Sequence, residues 1–188
     1  ECATAIAAAA AAGKPVVLAF PPGRYDFYPE HAVRAPHYIS NTTSEEENPD
    51  VTKTFGLLFE EARDLTIEGN GSLLVFHGKM TMIAFIGCAN IEVRNVRFDY
   101  ARPTMSEMTV EAAGRDYLDV RVHPDSWYAI EEDRLIWVGE GWRYHDGPAQ
   151  LYEPRNHTTW REPNPVSAAR RAEERGPNRL GLHYDRAP

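Results

Sequence analysis

The sequence predicts an all-β chain, in which coils of a parallel β-helix with an N-terminal capping helix precede a small antiparallel β subdomain. Three observations predict it. A pattern of strand, bend and corner over residues 59–69 returns over residues 85–95, an offset of 26 residues. An alanine-rich segment and a Pro-Pro-Gly turn precede that repeat, and short alternating strands follow it. We therefore expect one domain over residues 1–103 and a second over residues 104–188.

The start of the chain predicts a helix, a strand and a turn. Residues 3–12 are dominated by alanine, the best helix former, and Gly13 follows as a terminator. Residues 16–20 form a β-branched apolar run, and the turn Pro21-Pro22-Gly23 ends it. A helix placed here covers the open end of the first coil, where unpaired strand edges invite aggregation.

The repeat predicts which side chains stack between neighbouring coils. Leu65 and Ile67 fall opposite Ile91 and Val93, facing inward because side chains alternate along a strand. In the same register, Asp64 and Asn90 are expected to stack at a corner. The alternative is a parallel α/β sheet, but the spacing leaves no room for crossover helices. The polar, acidic residues 41–53 predict a surface loop between the first strands and the repeat.

Beyond Pro103 the pattern becomes that of hairpins. Short alternating strands are predicted at 108–111, 117–122, 128–130 and 135–138, with turn residues between them. We expect a small antiparallel barrel or sandwich over 104 to about 185. Residues 154–179, rich in Pro, Arg and Glu, are expected to form a long loop with a short helix around Ala168 to Glu174.

Composition excludes several classes of function. The net charge of -8 disfavours nucleic acid, which requires a basic patch, and it also disfavours docking on an anionic membrane. No apolar run approaches the roughly 20 residues of a membrane span, so membrane insertion is not expected. The seven histidines are scattered without a ligand pair, so no metal site is predicted. No phosphate loop, dinucleotide fingerprint or Ser-His-Asp motif is present.

Several sequence blocks resemble one family of carbohydrate enzymes. The two more specific blocks are Val-Phe-His-Gly, ending at Gly78, and Asp-Tyr-Ala-Arg-Pro, ending at Pro103. The Phe-Pro-Pro-Gly-Arg-Tyr block that begins at Phe20 precedes them, although many β-helix proteins carry such a turn. Together, over most of residues 14–145, they resemble the N-terminal portion of glycoside hydrolase family 110, the exo-acting α-1,3-galactosidases.

That resemblance implies a right-handed β-helix interrupted by barrel-like subdomains. It also implies removal of terminal α-1,3-linked galactose from glycans with inversion, and no metal or organic cofactor. We expect the catalytic acids to lie beyond Pro188, so that catalytic residues within the chain are unknown. A secreted or periplasmic protein, whose signal peptide is outside this chain, and association into a homo-oligomer are further expectations.

Asp99 and Arg102 are the first candidates for contact with a glycan. Inverting hydrolysis requires two carboxyl groups roughly 6.5–9.5 Å apart, a spacing that two coils of a β-helix provide. Asp99 is the one carboxylate in a distinctive setting on the predicted coils, three residues before Arg102. It either hydrogen-bonds a sugar hydroxyl, with Arg102 orienting it, or forms an ion pair with Arg102 that fixes the exit of the strand. We favour the ion pair.

His77 and Trp142 are weaker candidates for substrate binding. His77 stands at the end of a predicted coil strand, where it either binds a sugar or, as we favour, bonds to backbone at a corner. Tryptophan faces stack on sugars, and Trp142 is the candidate among the four tryptophans, since Trp137 alternates with Ile136 and Val138 like a core residue.

Two alternatives to an exo-galactosidase remain open from the residues. One is another β-helix enzyme that degrades polysaccharides, a lyase or a polygalacturonase-like hydrolase, which the acidic charge disfavours. The other is a non-catalytic β-helix adhesin or glycan-binding stalk.

Overall fold

The computed structural model describes residues 6, 8, 9, 12–38 and 50–186, and these residues form an all-β chain. It divides into two compact units, Glu1–Ala101 and Arg102–Pro188, so the division falls two residues before the expected one. The predicted loop over 41–53 lies mostly outside the described residues.

The first unit contains seven strands among its described residues and a short 3₁₀ turn at Pro29–His31. The strands are β1 (Val16–Ala19), β2 (Arg24–Phe27), β3 (Val33–Pro36), β4 (Thr52–Glu60), β5 (Arg63–Phe76), β6 (Thr81–Ile86) and β7 (Ala89–Tyr100).

The predicted N-terminal helix is partly described, and the residues described there agree with it. Ile6, Ala8 and Ala9 are helical, and a turn with Gly13 at φ 63° follows. The side chain of Ile6 packs against the core cluster that contains Leu65 and Ile67. The helix therefore contributes an apolar side chain to the first core of the unit.

Parallel pairing at the predicted offset organises the first unit. β5 pairs parallel with β7, and Leu65 lies opposite Ile91 and Ile67 opposite Val93. β4 pairs parallel with β6 at the same offset, with Phe59 opposite Phe85. The predicted register is therefore confirmed in two separate sheets. β1 and β2 extend the first of these sheets, each pairing parallel with β5.

The inward-facing side chains of the repeat form the core. Leu65 and Ile67 are each 1% exposed, and the rings of Phe59 and Phe85 stack with centroids 5.3 Å apart. Val93 is different, because 39% of it is exposed although it lies opposite the buried Ile67. Among the described strands β7 lies at the edge of its sheet, paired with β5 alone.

Corners between strands require left-handed backbone. Asp64 and Asn90 have φ of 52° and 54°, and the amide of Asn90 donates a hydrogen bond to the carboxylate of Asp64. Asp and Asn tolerate this conformation better than other residues with a Cβ atom. The expected corner stack is therefore confirmed.

A second corner depends on the close approach of β7 to Gly69. A Cβ atom at Gly69 would lie 2.4 Å from the carbonyl oxygen of Asn95, so only glycine fits there. Beyond this corner the pairing shifts, and Ser72 lies opposite Val96. The offset between the two strands falls by two residues, which the repeat in the sequence did not predict.

The second unit is antiparallel throughout its described strands. Its largest sheet has the order β15-β16-β9-β8, and the smaller sheets are β10-β11-β12 and β13-β14. The strands are β8 (Met108–Ala113), β9 (Tyr117–Val122), β10 (Trp127–Glu131), β11 (Arg134–Gly139), β12 (Trp142–Tyr144), β13 (Ala149–Glu153), β14 (Thr158–Glu162), β15 (Arg171–Gly176) and β16 (Arg179–His183).

The hairpin predictions for this unit are confirmed. β10 and β11 join through Glu132 and Asp133, both at positive φ (48° and 64°), the conformation that two-residue hairpin turns require. The predicted core position of Trp137 is also confirmed, since it is 5% exposed among the buried aliphatic residues of the unit.

The prediction of a long loop with a helix around Ala168 to Glu174 is wrong. The helix is a single turn, α1 (Pro165–Ala168), and Arg171–Gly176 is strand β15. Asn164 caps α1 by accepting a hydrogen bond from the N–H of Val166 at 2.9 Å. β15 buries only Ala172 and pairs its charged side chains across the sheet, as in the 2.6 Å contact of Arg175 with Asp119. The apolar alternation typical of a strand is therefore absent from its sequence.

The burial of Ile67 and the exposure of Val93, which lie opposite each other, predict different losses of stability when each is truncated. We expect Ile67→Ala to lower the free energy of unfolding by about 2–5 kcal/mol, because it empties a filled core position. Val93→Ala removes a side chain from a surface that is already open, and we expect a loss of under about 0.5 kcal/mol. Denaturant unfolding of both variants measures this, and equal losses would contradict the placement of Val93.

Candidate functional site

The outer face of the first sheet brings polar side chains into one row. In the register of β2, β5 and β7, Asp26 lies opposite Val75, and Val75 lies opposite Asp99. Directly opposite residues share a face of the sheet, so the two aspartates flank Val75 on the outside. Neighbouring strands are about 4.8 Å apart, which separates the backbones of Asp26 and Asp99 by roughly 10 Å.

Asp26 is the centre of a cluster that the sequence did not single out, which we name the Asp26 cluster: Arg24, Asp26, Tyr28 and His77. Arg24 donates two hydrogen bonds to the carboxylate of Asp26, at 2.9 and 2.7 Å. Nε2 of His77 lies 2.8 Å from Oδ1 of the same carboxylate. His77, predicted as a corner residue bonded to backbone, thus bonds through its ring to a carboxylate. Its backbone N–H donates to the carbonyl of Phe27.

These contacts hold Asp26 in its ionised form. The hydrogen bonds from Arg24, and next those from His77, lower the pKa of the Asp26 carboxyl far below its usual value. The carboxylate therefore accepts hydrogen bonds and cannot serve as a proton donor at neutral pH.

An aromatic ring completes the cluster. The rings of Tyr28 and His77 stack, with centroids 4.2 Å apart and an angle of 18° between their planes. Tyr28 is 42% exposed. An exposed phenol ring beside a fixed carboxylate is a combination that suits a ligand with both hydroxyl groups and an apolar face.

The row of carboxylates is not a catalytic pair, despite its spacing. Val75 lies between Asp26 and Asp99 in the register, yet it is only 4% exposed. Neighbouring atoms therefore cover the side chain that lies between the two carboxylates. Asp26 in addition already accepts hydrogen bonds from Arg24 and His77.

The structure gives Asp99 and Arg102 separate partners. The carboxylate of Asp99 accepts a hydrogen bond from the backbone N–H of Tyr100 at 2.8 Å. Arg102 lies over the ring of Trp127, 4.0 Å from its centroid, and its guanidinium is 3.8 Å from the carboxylate of Asp125. The favoured ion pair between Asp99 and Arg102 is therefore wrong, since the cation–π contact with Trp127 positions Arg102 instead.

Trp142 lies where a core residue would. It packs against the buried cluster of the second unit, and its ring meets that of Tyr144 at 5.1 Å between centroids. It also covers Gly139, where an added Cβ atom would lie 2.1 Å from the indole. The more exposed tryptophans are Trp127 and Trp160, at 44% and 41%.

Neither a metal site nor a membrane span is found in the described part of the chain. Among residues 6, 8, 9, 12–38 and 50–186, no three or more His, Cys, Asp or Glu side chains form a group able to hold a metal ion. No helix within the same residues is long and apolar enough to span a membrane.

Comparison with known proteins identifies relatives of the whole chain and of its second unit. Residues 106–187 match the family described as GLAA-B beta-barrel domain I. An alpha-1,3-galactosidase A of Bacteroides thetaiotaomicron is 40% identical over 176 residues, which are 94% of this chain and 31% of that protein. An alpha-1,3-galactosidase A of Bacteroides fragilis is 43% identical over 138 residues, 73% of this chain and 23% of that protein. One of Streptomyces avermitilis is 32% identical over 178 residues, 87% of this chain and 28% of that protein.

The chain is therefore an all-β protein whose second unit matches the family of GLAA-B β-barrel domains. It belongs to the family of the α-1,3-galactosidases and corresponds to the N-terminal part of those proteins, as the sequence blocks indicated. It spans about a third of the length of the Bacteroides thetaiotaomicron relative, and less of the other two.

The Asp26 cluster predicts a pH-dependent contribution to stability. We expect Asp26→Asn to be less stable than the wild type at neutral pH, because Arg24 and His77 lose their charged partner. A carboxyl with a lowered pKa stabilises the fold above its unfolded value of about 4, and the advantage disappears as the pH falls through the folded value. Thermal unfolding of both proteins, from neutral pH downwards, measures the difference.

Asp99→Asn is the matched control, since it neutralises a carboxylate in the same row that bonds to the adjacent backbone N–H. We expect a smaller change in its unfolding midpoint. An Asp26→Asn variant with wild-type stability at neutral pH would contradict the role given to the cluster.

Proposed function

We propose that the longer protein containing this chain is an exo-acting glycoside hydrolase that releases terminal α-1,3-linked galactose from glycans. The observation that carries the proposal is the identity of 40% to an alpha-1,3-galactosidase A across 94% of the chain. A neutral sugar also suits the net charge of -8 better than a polyanionic substrate does. Glycans outside the cytoplasm are the natural target, and we propose a secreted or periplasmic protein.

We also propose that the parallel strands of the first unit are the opening coils of a right-handed parallel β-helix. Two sheets, β4 with β6 and β5 with β7, support it, because both advance by one 26-residue repeat per strand. A solenoid of this kind adds one strand to each sheet with every coil.

We place the catalytic acids on coils after residue 188 and propose inversion of configuration. Carboxylates on one face, two strands apart, have the separation that an inverting pair requires. Asp26 and Asp99 have that separation, but the side chain of Val75 between them is buried. A pair of carboxylates on later coils is therefore the better candidate.

The Asp26 cluster is proposed to form part of the rim of the glycan-binding groove. Its ring and carboxylate lie on the outer face of the sheet, the face on which further coils would extend the groove. In the full-length protein, Tyr28→Ala should raise KM and leave kcat unchanged, because it removes binding shared by substrate and transition state. Tyr28→Phe keeps the ring and should retain the wild-type KM. Steady-state kinetics on an α-1,3-galactosyl oligosaccharide measures both, and an unchanged KM in Tyr28→Ala removes the cluster from the groove.

The activity itself is tested with the full-length protein. We expect free galactose from an α-1,3-linked galactoside and little from the α-1,4-linked isomer. Proton NMR should show β-galactose as the first product, since inversion at an α-linkage gives the β-anomer, and addition of a chelator should leave the rate unchanged.

Other products would identify the alternatives. An unsaturated uronic acid would indicate a lyase, and binding of glycans without any cleavage would indicate a stalk or adhesin. Galactose that first appears as the α-anomer would refute inversion alone. The 188-residue chain by itself is expected to be inactive, and turnover by it would overturn the placing of the acids beyond residue 188.

A further inference from the structure

Asn70 and Gly71 form the one Asn-Gly pair in the sequence, and they lie at a corner of β5. Between Glu68 and Ser72, three residues of β5 lie opposite the single residue Asn95 of β7. The register therefore leaves two residues of β5 over at this corner. Both Asn70 and Gly71 are exposed.

The strands on both sides of this corner belong to the described chain. β1 and β2 pair with one edge of β5, and β7 pairs with the other edge. A coil added after this chain would pair with β7 and would leave both neighbours of β5 in place. At the corner itself, a Cβ atom built on Gly71 would have nothing within 4 Å. The space around the Asn-Gly pair is therefore open to water.

An Asn-Gly pair carries a reaction of its own. The backbone nitrogen of the second residue attacks the side-chain amide carbon of the asparagine, which closes a five-membered succinimide ring and releases ammonia. Water then opens the ring at one of its two carbonyl groups, and the product is aspartate or isoaspartate. Glycine favours the attack because it has no Cβ atom to crowd the nitrogen and because its backbone is the most adaptable.

Two hydrogen bonds hold Asn70 in its present conformation, with φ at 48°. Its Nδ2 donates to the carbonyl oxygen of Phe20 at 2.9 Å, and its backbone N–H donates to the carboxylate of Glu68 at 2.9 Å. The bond from Nδ2 has to open before the amide carbon meets the nitrogen of Gly71. Since the register gives this part of β5 no partner on β7, a local opening requires less free energy than unfolding of the strand.

We propose that Asn70–Gly71 is a site of spontaneous deamidation in the folded protein, reached by local opening of this corner. A bond forms between the nitrogen of Gly71 and Cγ of Asn70, and the bond between Cγ and Nδ2 breaks. The nitrogen of Gly71 gives up a proton and the departing nitrogen takes one up, so ammonia leaves. Water, the second reactant, supplies the oxygen and the hydrogens of the new acid and of the restored peptide N–H.

The product weakens the corner. A carboxylate at position 70 cannot donate to the carbonyl of Phe20, and it lies beside the carboxylate of Glu68. Glu68 also accepts hydrogen bonds from Arg94 at 2.7 Å and from Asn95 at 3.0 Å, both on β7. Repulsion between the two carboxylates therefore disturbs the contacts that join β5 to β7. Isoaspartate in addition lengthens the backbone of the corner by one atom.

The test follows the amide in the full-length protein during incubation at mildly alkaline pH. Trypsin cleaves after Arg63 and Lys79 and releases residues 64–79, in which Asn70 is the one asparagine. Mass spectrometry measures the conversion of amide to acid with time, and an isoaspartyl methyltransferase detects isoaspartate. A sample digested without incubation gives the starting value.

Asn90 is the matched control within the same protein. It is exposed at a corner, has φ of 54° and donates its amide hydrogen bond to Asp64, but Ile91 follows it. We expect Asn70 to react at least about tenfold faster, which corresponds to an activation free energy lower by about 1.4 kcal/mol. Equal rates at the two asparagines would overturn the proposal.

Urea separates local opening from unfolding of the whole unit. Below the unfolding transition, the rate at Asn70 should stay nearly constant, whereas a rate that rises in proportion to the unfolded fraction would show that the folded corner is protected and would refute the proposal. The Asn70→Asp variant imitates the product and should unfold at a lower urea concentration than the wild type. Incubated wild-type protein should shift towards the same midpoint, and a variant as stable as the wild type would contradict the effect on the corner.

Discussion

Parallel hydrogen bonding between β5 and β7 determines where most residues of the first unit lie. Once Leu65 is fixed opposite Ile91, alternation sends Leu65 and Ile67 of β5 to the core and places Ile91 and Val93 of β7 on the same face. The same register brings Asp64 beside Asn90 and requires left-handed backbone at both. It also places Asp26, Val75 and Asp99 in one outer row. A slip by one residue would exchange the core face with the solvent face.

The second unit depends on antiparallel hairpins and on one long-range pairing, that of β9 with β16. Its strands are joined largely by short turns, and positive φ at Glu132 and Asp133 lets β10 fold back directly on β11. Its core is assembled from strands and one helical turn that are spread from Val120 to Tyr184. The two units thus use different solutions to the same requirement, which is to bury one face of each sheet.

The sequence predicted those elements whose pattern is imposed by burial. The repeat and the strands over 117–138 place apolar side chains on a buried face, and both predictions are confirmed. β8 is confirmed as a strand although most of its residues are exposed. β15 was missed because it buries only Ala172, and its charged side chains pair with each other and with Asp119, 56 positions from Arg175. The shift beyond Gly69 was missed for a similar reason, since it reflects a close approach of backbone rather than a side-chain pattern.

The candidate site was harder to predict than the fold. Val-Phe-His-Gly drew attention to His77, but its partner Asp26 lies 51 positions away, and only the parallel register brings them together. Arg24 and Asp26 alternate with core residues as any solvent-facing pair would, so nothing local distinguishes them. The favoured pairing of Asp99 with Arg102 followed sequence proximity, whereas Trp127 offered Arg102 a larger contact.

The open side of β7 has a consequence for how such a protein is made. Twelve residues long and paired on one side among the described strands, β7 keeps an open edge while the segment that leaves the ribosome next, residues 102–188, folds into the second unit. A pause in synthesis at this stage would leave the backbone N–H and C=O groups of that edge unpaired, and another nascent chain could pair with them. An edge that stays unpaired during synthesis is thus a site at which nascent chains can associate before the fold is complete.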